Sequence, residues 1–240
     1  MKLPKYLSYK NLANDEAEIA IDGEITSYPW ADGDQSASGF RDVLKDLGDV
    51  KHIDLHLNSP GGDVFEGVAI YNMLKQNKAD VDVYVDGLAA SIASVIAMAG
   101  KIHIPQNAAL MIHNPYATWV TGNANDLRKE ADTLDKVGKS ILDTYTAHVD
   151  GKTSREDLQA MMDDETWLYG DEAVEAGLAD ELLDPVQAAA CLDAKFANKY
   201  KHAPKNLIKP IDSASKQDDE WRNDLIKKIK SEQEILSNKL

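Results

Sequence analysis

Two residues in this chain are placed as nucleophilic catalysis would need them. Ser91 lies in the small-residue stretch Gly87-Leu88-Ala89-Ala90-Ser91-Ile92-Ala93-Ser94, at the mouth of an apolar helical pattern. His113 closes the apolar run Ala108 to Ile112 and is followed by Asn114-Pro115. A serine hydroxyl is a weak nucleophile near neutral pH and needs a neighbouring base to take its proton. Histidine suits that task because its pKa lies near the operating range, provided a third group holds its tautomer. The oxyanion that follows attack needs two aimed donors. A helix opening at Ser91 offers free N–H groups and a positive dipole end, with the N–H of Ile92 placed to be one donor. Upstream, Asn58-Ser59-Pro60-Gly61-Gly62 carries paired glycines, which permit positive φ and close approach of backbone to a ligand.

Each residue also has an ordinary reading. Ser91 fits a helix N-cap, Gly61-Gly62 an ordinary strand-to-helix turn, and His113 a strand-end histidine before a proline that forces an extended exit. Ser94, one turn after Ser91, reads as a packing serine. His52, His56 and His103 alternate with aliphatic residues on strand patterns and need only be solvated. His148 and His202 fall near a helix end and in a polar segment.

The elements that must position these residues are legible as periodicities. Ile19 and Ile21, then Ile53, Leu55 and Leu57, then Val81, Val83 and Val85, then Ile102 and Ile104 each mark one strand face. Phe40, Val43, Leu44 and Leu47 fit one helix; Val64, Val68, Tyr71, Met73 and Leu74 fit another. Gly100 stops the helix that opens near Ser91. A long helix is predicted from Asn125 to His148, with Leu127, Leu134, Val137, Ile141, Leu142 and Tyr145 on its apolar stripe, and a capped helix from Ser154. Strand–helix alternation implies an α/β protein with a parallel, right-handed layout. Periodicity does not separate a doubly wound sheet from a spiral of ββα turns.

These blocks, with Glu165-Thr166-Trp167 and Glu172-Ala173-Val174-Glu175-Ala176-Gly177-Leu178-Ala179-Asp180 downstream, resemble the Clp-type (ClpP-like, caseinolytic) serine peptidases from about Ile19 to Asp184. Within that family, Asp86 to Ser94 and Glu165 to Trp167 resemble the phage and prophage head-maturation branch. The resemblance implies the ClpP/crotonase-like spiral of ββα units with a long handle helix, and a homo-oligomeric ring joined through that helix. It implies Ser91 as nucleophile, His113 as general base, and the N–H groups of Gly62 and Ile92 as the oxyanion hole. The family's orienting acid is usually an aspartate. Counting back from Glu172 lands on Glu165, with Asp164 beside it as the other candidate. Implied substrates are proteins or peptides, with capsid, scaffold or portal chains as the phage-branch expectation. No cofactor and no metal are implied. The segment before Ile19 and the loop Thr26 to Ser38 do not resemble the collar and docking surface of the cellular enzymes, which argues against an ATP-dependent unfoldase partner. Two other readings share this fold: an inactive assembly protein, and a crotonase-type acyl-CoA enzyme.

Composition narrows the field further. Of the 240 residues, 43% are hydrophobic and 28% charged, as in a globular chain, and the formal net charge is −15. Such acidity argues against nucleic acid as a partner, because phosphate binding needs clustered cations. Cys191 is the only cysteine, so neither an intrachain disulfide nor a cysteine metal site is expected. No signal peptide or membrane span is apparent, and the expected location is the host cytoplasm, in association with a procapsid if the phage reading holds. The expected division is a peptidase domain at 1–184 and a tail at 185–240. In that tail, Val186 to Tyr200 reads as an alanine-rich helix and Lys205 to Glu220 as a linker. A last amphipathic helix is expected through Trp221, Leu225, Ile229 and Leu236.

Overall fold

A computed structural model describes residues 7–12, 15–28, 35–118, 120–185 and 199–207. The expectations for Met1 to Tyr6, for Cys191, for a helix over 186–198 and for the last amphipathic helix lie outside the described residues.

The fold is α/β, and the strands that the alternating residues predict form its core. β2 (Glu16–Asp22), β3 (His52–Ser59), β4 (Asp80–Ala90), β5 (Lys101–Pro105) and β8 (Glu181–Leu183) run parallel in that order. β1 (Leu7–Asn11) pairs antiparallel on the edge. Ile19, Ile21, Ile53, Leu55, Leu57, Val83, Val85, Ile102 and Ile104 are fully buried on one face. Helices α1 (Ala37–Leu47) and α2 (Val64–Lys75) follow β2 and β3, and α1 seats Phe40 and Val43 in the same core. Caps fix both starts: Ser36 accepts from the Gly39 N–H, and Asp63 accepts from the Phe65 and Glu66 N–H groups.

β4 determines the rest of the fold. Its eleven residues serve two neighbours in turn. Asp82 to Tyr84 pair with Lys101 to His103 of β5, whereas Leu88 to Ala90 pair with Ala109 to Met111 of β6 (Ala109–Ile112). β6 then pairs antiparallel with β7 (Thr166–Tyr169). Short α3 (Ile92–Ala97) leaves the end of β4 fully buried, and α6 (Gly170–Glu175) follows β7.

The long helix is α4 (Ala124–His148), opened by an Asn123–Asp126 capping box. Its second half packs through Gly138, Ile141, Leu142 and Tyr145, while Leu127 near its start is 47% exposed. The expected apolar stripe is therefore covered along only half its length. α5 (Arg155–Asp163) starts at the Ser154 cap, as its sequence predicts. Among the described residues no helix is long and apolar enough to cross a membrane.

Two expectations need correction. His52, His56 and His103 are not simply solvated: each bonds a carboxylate on the polar sheet face, Asp54 and Asp82, Asp86, and Asp82 respectively. His103 and His56 also stack on the two faces of Tyr84. Lys205 is not the start of a bare linker. Lys205–Leu207 form a 3-10 turn, and Leu207 is buried against Leu88, Ala90, Ala109 and Met111. Periodicity cannot reveal either feature, because both depend on partners distant in sequence.

Gly100 does more than end a helix. A Cβ there would lie 2.2 Å from the Val81 carbonyl oxygen, a backbone atom that cannot swing aside. Gly100→Ala is therefore expected to cost about 1–3 kcal/mol as overpacking, read as a lower urea midpoint with an unchanged slope.

Candidate active site

The site forms where strand ends meet, and the register accounts for which residues are there. Ala90 pairs with Met111, and the Ser91 N–H donates to the Met111 carbonyl at 3.0 Å. Ser91 and His113 thus leave two parallel neighbours at the same end. Ile112 pairs with Thr166 across the antiparallel β6–β7 ladder, so one further step sets Glu165 opposite His113. Ser59 pairs with Ala89 after an irregularity following Leu57, which brings Pro60-Gly61-Gly62 alongside.

Ser91 Oγ lies 2.7 Å from His113 Nε2. The serine occupies the N-cap position of α3, but its side chain makes no cap hydrogen bond, and its backbone has φ 56° and ψ −129°. A non-glycine residue held there carries strain of about 1–3 kcal/mol. The ordinary N-cap reading is thereby set aside: the side chain turns to the imidazole instead. Ser94 does pack, fully buried, donating to the Ser91 carbonyl at 2.6 Å and bonded to the Tyr145 hydroxyl at 2.7 Å.

Glycine is required at the loop facing Ser91. A Cβ on Gly61, at φ 87°, would lie 2.7 Å from Ser91 Cβ and 3.2 Å from the Ile92 nitrogen. On Gly62, at φ 146°, it would lie 2.0 Å from the Ile25 carbonyl oxygen. The loop is tied down by Ile25 N–H to Gly61 O at 2.9 Å and Asp63 N–H to Ile25 O at 2.7 Å. Ile92 is the first residue of α3, where a helical N–H has no intrahelical acceptor. Gly61 thus lies against Ser91 and Ile92, and Gly62 lines the same cleft as Ser91 and His113. Behind Ser91 a small apolar recess is lined by Val64, Ile92, Val95, Ile141 and Tyr145.

Of the two candidate acids, Glu165 is buried and Asp164 is exposed at the end of α5. Glu165 sits in the left-handed region with φ 51°, just past a helix end where glycine is usual. Its carboxylate is engaged by the chain's own later residues. Oε2 accepts the Lys201 N–H at 2.9 Å and Oε1 accepts the His202 N–H at 2.7 Å, with Trp167 Nε1 at 3.4 Å. Its charge nevertheless acts on His113. Burial lowers the His113 pKa below its ordinary value, Glu165 pulls it back up, and the Lys201 ammonium lowers it again. The imidazole is held neutral, the form that can accept the serine proton.

Sequence reasoning did not find Tyr200. Its hydroxyl donates to the Pro60 carbonyl, and its ring stands edge-on to His113 and Trp167 at 5.7 and 5.5 Å between centroids. No periodicity or motif marks it, since it follows 186–198 and precedes a polar stretch.

A strand-end Ser–His pair with a glycine loop and a buried carboxylate, on a partly parallel α/β sheet, defines the class of protein. The comparisons with known proteins name the family. Residues 34–186 match the Clp protease family model, and the chain belongs to that family. Over 138 residues it is 33% identical to the ATP-dependent Clp protease proteolytic subunit of Deinococcus radiodurans, covering 56% of this chain and 66% of the relative. Over 131 residues it is 37% identical to the ATP-dependent Clp protease proteolytic subunit 1 of Chlamydia abortus, covering 53% and 67%. The Bacteroides fragilis subunit is 34% identical over 136 residues, with 55% and 64% covered. The chain thus spans about two thirds of the length of these curated relatives.

The lowered His113 pKa has a measurable consequence. Its ring proton resonances are expected to titrate with a midpoint below the ordinary value of about 6.5, followed by NMR against pH. Because folding lowers this pKa, the neutral form belongs to the fold. Stability should be retained above about 6.5 and fall as the pH drops through the folded midpoint. A midpoint above 6.5 would contradict the burial argument.

Proposed function

We propose that the protein is a serine endopeptidase that acts by acyl transfer through Ser91. The observation that carries this reading is the 2.7 Å contact between Ser91 Oγ and a half-buried His113, on a serine whose backbone is strained into place. In this mechanism His113 Nε2 takes the hydroxyl proton as Ser91 Oγ attacks the scissile carbonyl. The N–H groups of Gly62 and Ile92 stabilise the oxyanion. His113 returns the proton to the departing amine, releasing the first product and leaving an ester on Ser91. Water, deprotonated by the same imidazole, then hydrolyses the ester. Glu165, once its oxygens are free of the Lys201 and His202 N–H groups, orients His113 and stabilises the imidazolium; Asp164, exposed at the end of α5, does not. No metal or organic cofactor enters the scheme.

The substrate is a protein segment lying extended across the glycine loop, adding to the sheet edge near Gly62. The exposed first half of α4 is the surface through which copies assemble, as the relatives' designation as proteolytic subunits suggests. The finer reading is processing of capsid, scaffold or portal chains during phage head maturation. Its support is the sequence blocks Asp86 to Ser94 and Glu165 to Trp167.

Incubation with unfolded protein substrates, followed by mass spectrometry of the fragments, tests the activity. Wild type is expected to yield discrete fragments. Ser91→Ala should yield none above background, and His113→Ala should reduce the rate at least about 100-fold. Fragmentation that persists in Ser91→Ala would exclude this serine as the nucleophile.

A further inference from the structure

Residues 199–207 stand against the reacting groups, and their contacts are those of a bound ligand. Tyr200 inserts between Trp167, His113 and Pro60 and hydrogen-bonds a carbonyl of the glycine loop. The next two residues give their backbone N–H groups to the two oxygens of Glu165. His202 Nδ1 bonds the Asp164 carbonyl at 2.8 Å, and Leu207 closes the apolar face of β4 and β6. At the other end Lys199 pairs with Glu24 at 2.8 Å. A bent segment led by an aromatic side chain is thus held by side-chain packing and by backbone groups together, as peptide grooves hold peptides.

These contacts also have a chemical cost at the site. Both oxygens of Glu165 are spent on the Lys201 and His202 N–H groups, although the β6–β7 register sets this residue opposite His113. The Lys201 ammonium, in addition, works against protonation of the imidazole that catalysis requires.

We propose that Trp167, His113 and the Pro60 carbonyl form a subsite for an aromatic side chain beside Ser91, and that this chain fills it with its own Tyr200. The ligand class is a peptide led by tyrosine and bent after it, so that the next two backbone N–H groups point at one carboxylate. A partner chain of that chemistry displaces the segment and takes over its contacts. When the segment leaves without such a replacement, Glu165 is released to hold His113. The proposal rests on the peptidase reading for its consequence, but not for its binding.

The test uses the full chain and two blocked peptides, acetyl-Tyr-Lys-His-amide and acetyl-Ala-Lys-His-amide, titrated by calorimetry into wild type, Tyr200→Ala and Tyr200→Phe. An internal ligand lowers the apparent affinity for a competing one by the fraction of sites left open. The tyrosine peptide is therefore expected to bind Tyr200→Ala at least about tenfold more tightly than wild type. Tyr200→Phe, which keeps the ring and loses only the hydroxyl donated to Pro60, should fall between them. It serves as the folded control if Tyr200→Ala unfolds. The alanine peptide should bind Tyr200→Ala at least about tenfold more weakly than the tyrosine peptide does. Equal affinity of the tyrosine peptide for wild type and both variants would overturn internal occupancy. Equal affinity of the two peptides for Tyr200→Ala would overturn the aromatic subsite. Cleavage plays no part in this readout. Binding as expected, with no fragmentation of any substrate, would therefore sink the peptidase reading and leave the subsite standing.

Discussion

The pairing of three strand ends carries the whole arrangement. β4 leaves β5, takes β6 as its neighbour, and β6 in turn takes β7. Backbone hydrogen bonds fix those registers, and a slip of one residue in any of them would turn every side chain to the opposite face. Ser91, His113 and Glu165 each lie one residue beyond, or immediately next to, a paired strand end, so their relative position is set by the sheet rather than by loops. A site built on strands can hold 2.7 Å between two side chains that are 22 residues apart.

Strain is concentrated where that geometry is needed. Ser91 and Glu165 are both non-glycine residues with positive φ, and the loop facing them uses Gly61 and Gly62 at positive φ. Tight packing over-determines these conformations: α3 is wholly buried, and Gly61 lies too close to Ser91 for any side chain to intervene. The same burial desolvates His113 and keeps it neutral. Packing, strain and base strength thus have one origin, the seating of α3 in the core. Ser94 extends it, tying the Ser91 carbonyl to Tyr145 of α4.

The sequence was informative wherever a single element carries the signal. The alternating Ile53-Leu55-Leu57 and Ile102-Ile104 patterns locate buried strands, and Asn123 and Ser154 start helices close to where capping chemistry puts them. Ser91 and His113 stood out for their settings, but their contact depends on a β4–β6 register that no local pattern encodes. Counting from Glu172 leaves Asp164 and Glu165 both open, because the choice depends on the local backbone. The chain ends a helix there and turns through the left-handed region at Glu165, whose side chain is buried. Tyr200 was invisible because nothing in its neighbours suggests that it packs 109 residues away from Ser91. It closes the stretch Val186 to Tyr200, whose composition reads as an alanine-rich helix, and in the structure Tyr200 itself is not helical.

The central claim is that His113 activates Ser91 and no other serine. Intact-mass measurement after exposure to a fluorophosphonate probe tests it most directly, with wild type, Ser91→Ala and Ser94→Ala side by side. The account predicts a single adduct on wild type and on folded Ser94→Ala, and none on Ser91→Ala. An adduct that survives in Ser91→Ala, or no adduct on either wild type or Tyr200→Ala, would contradict it.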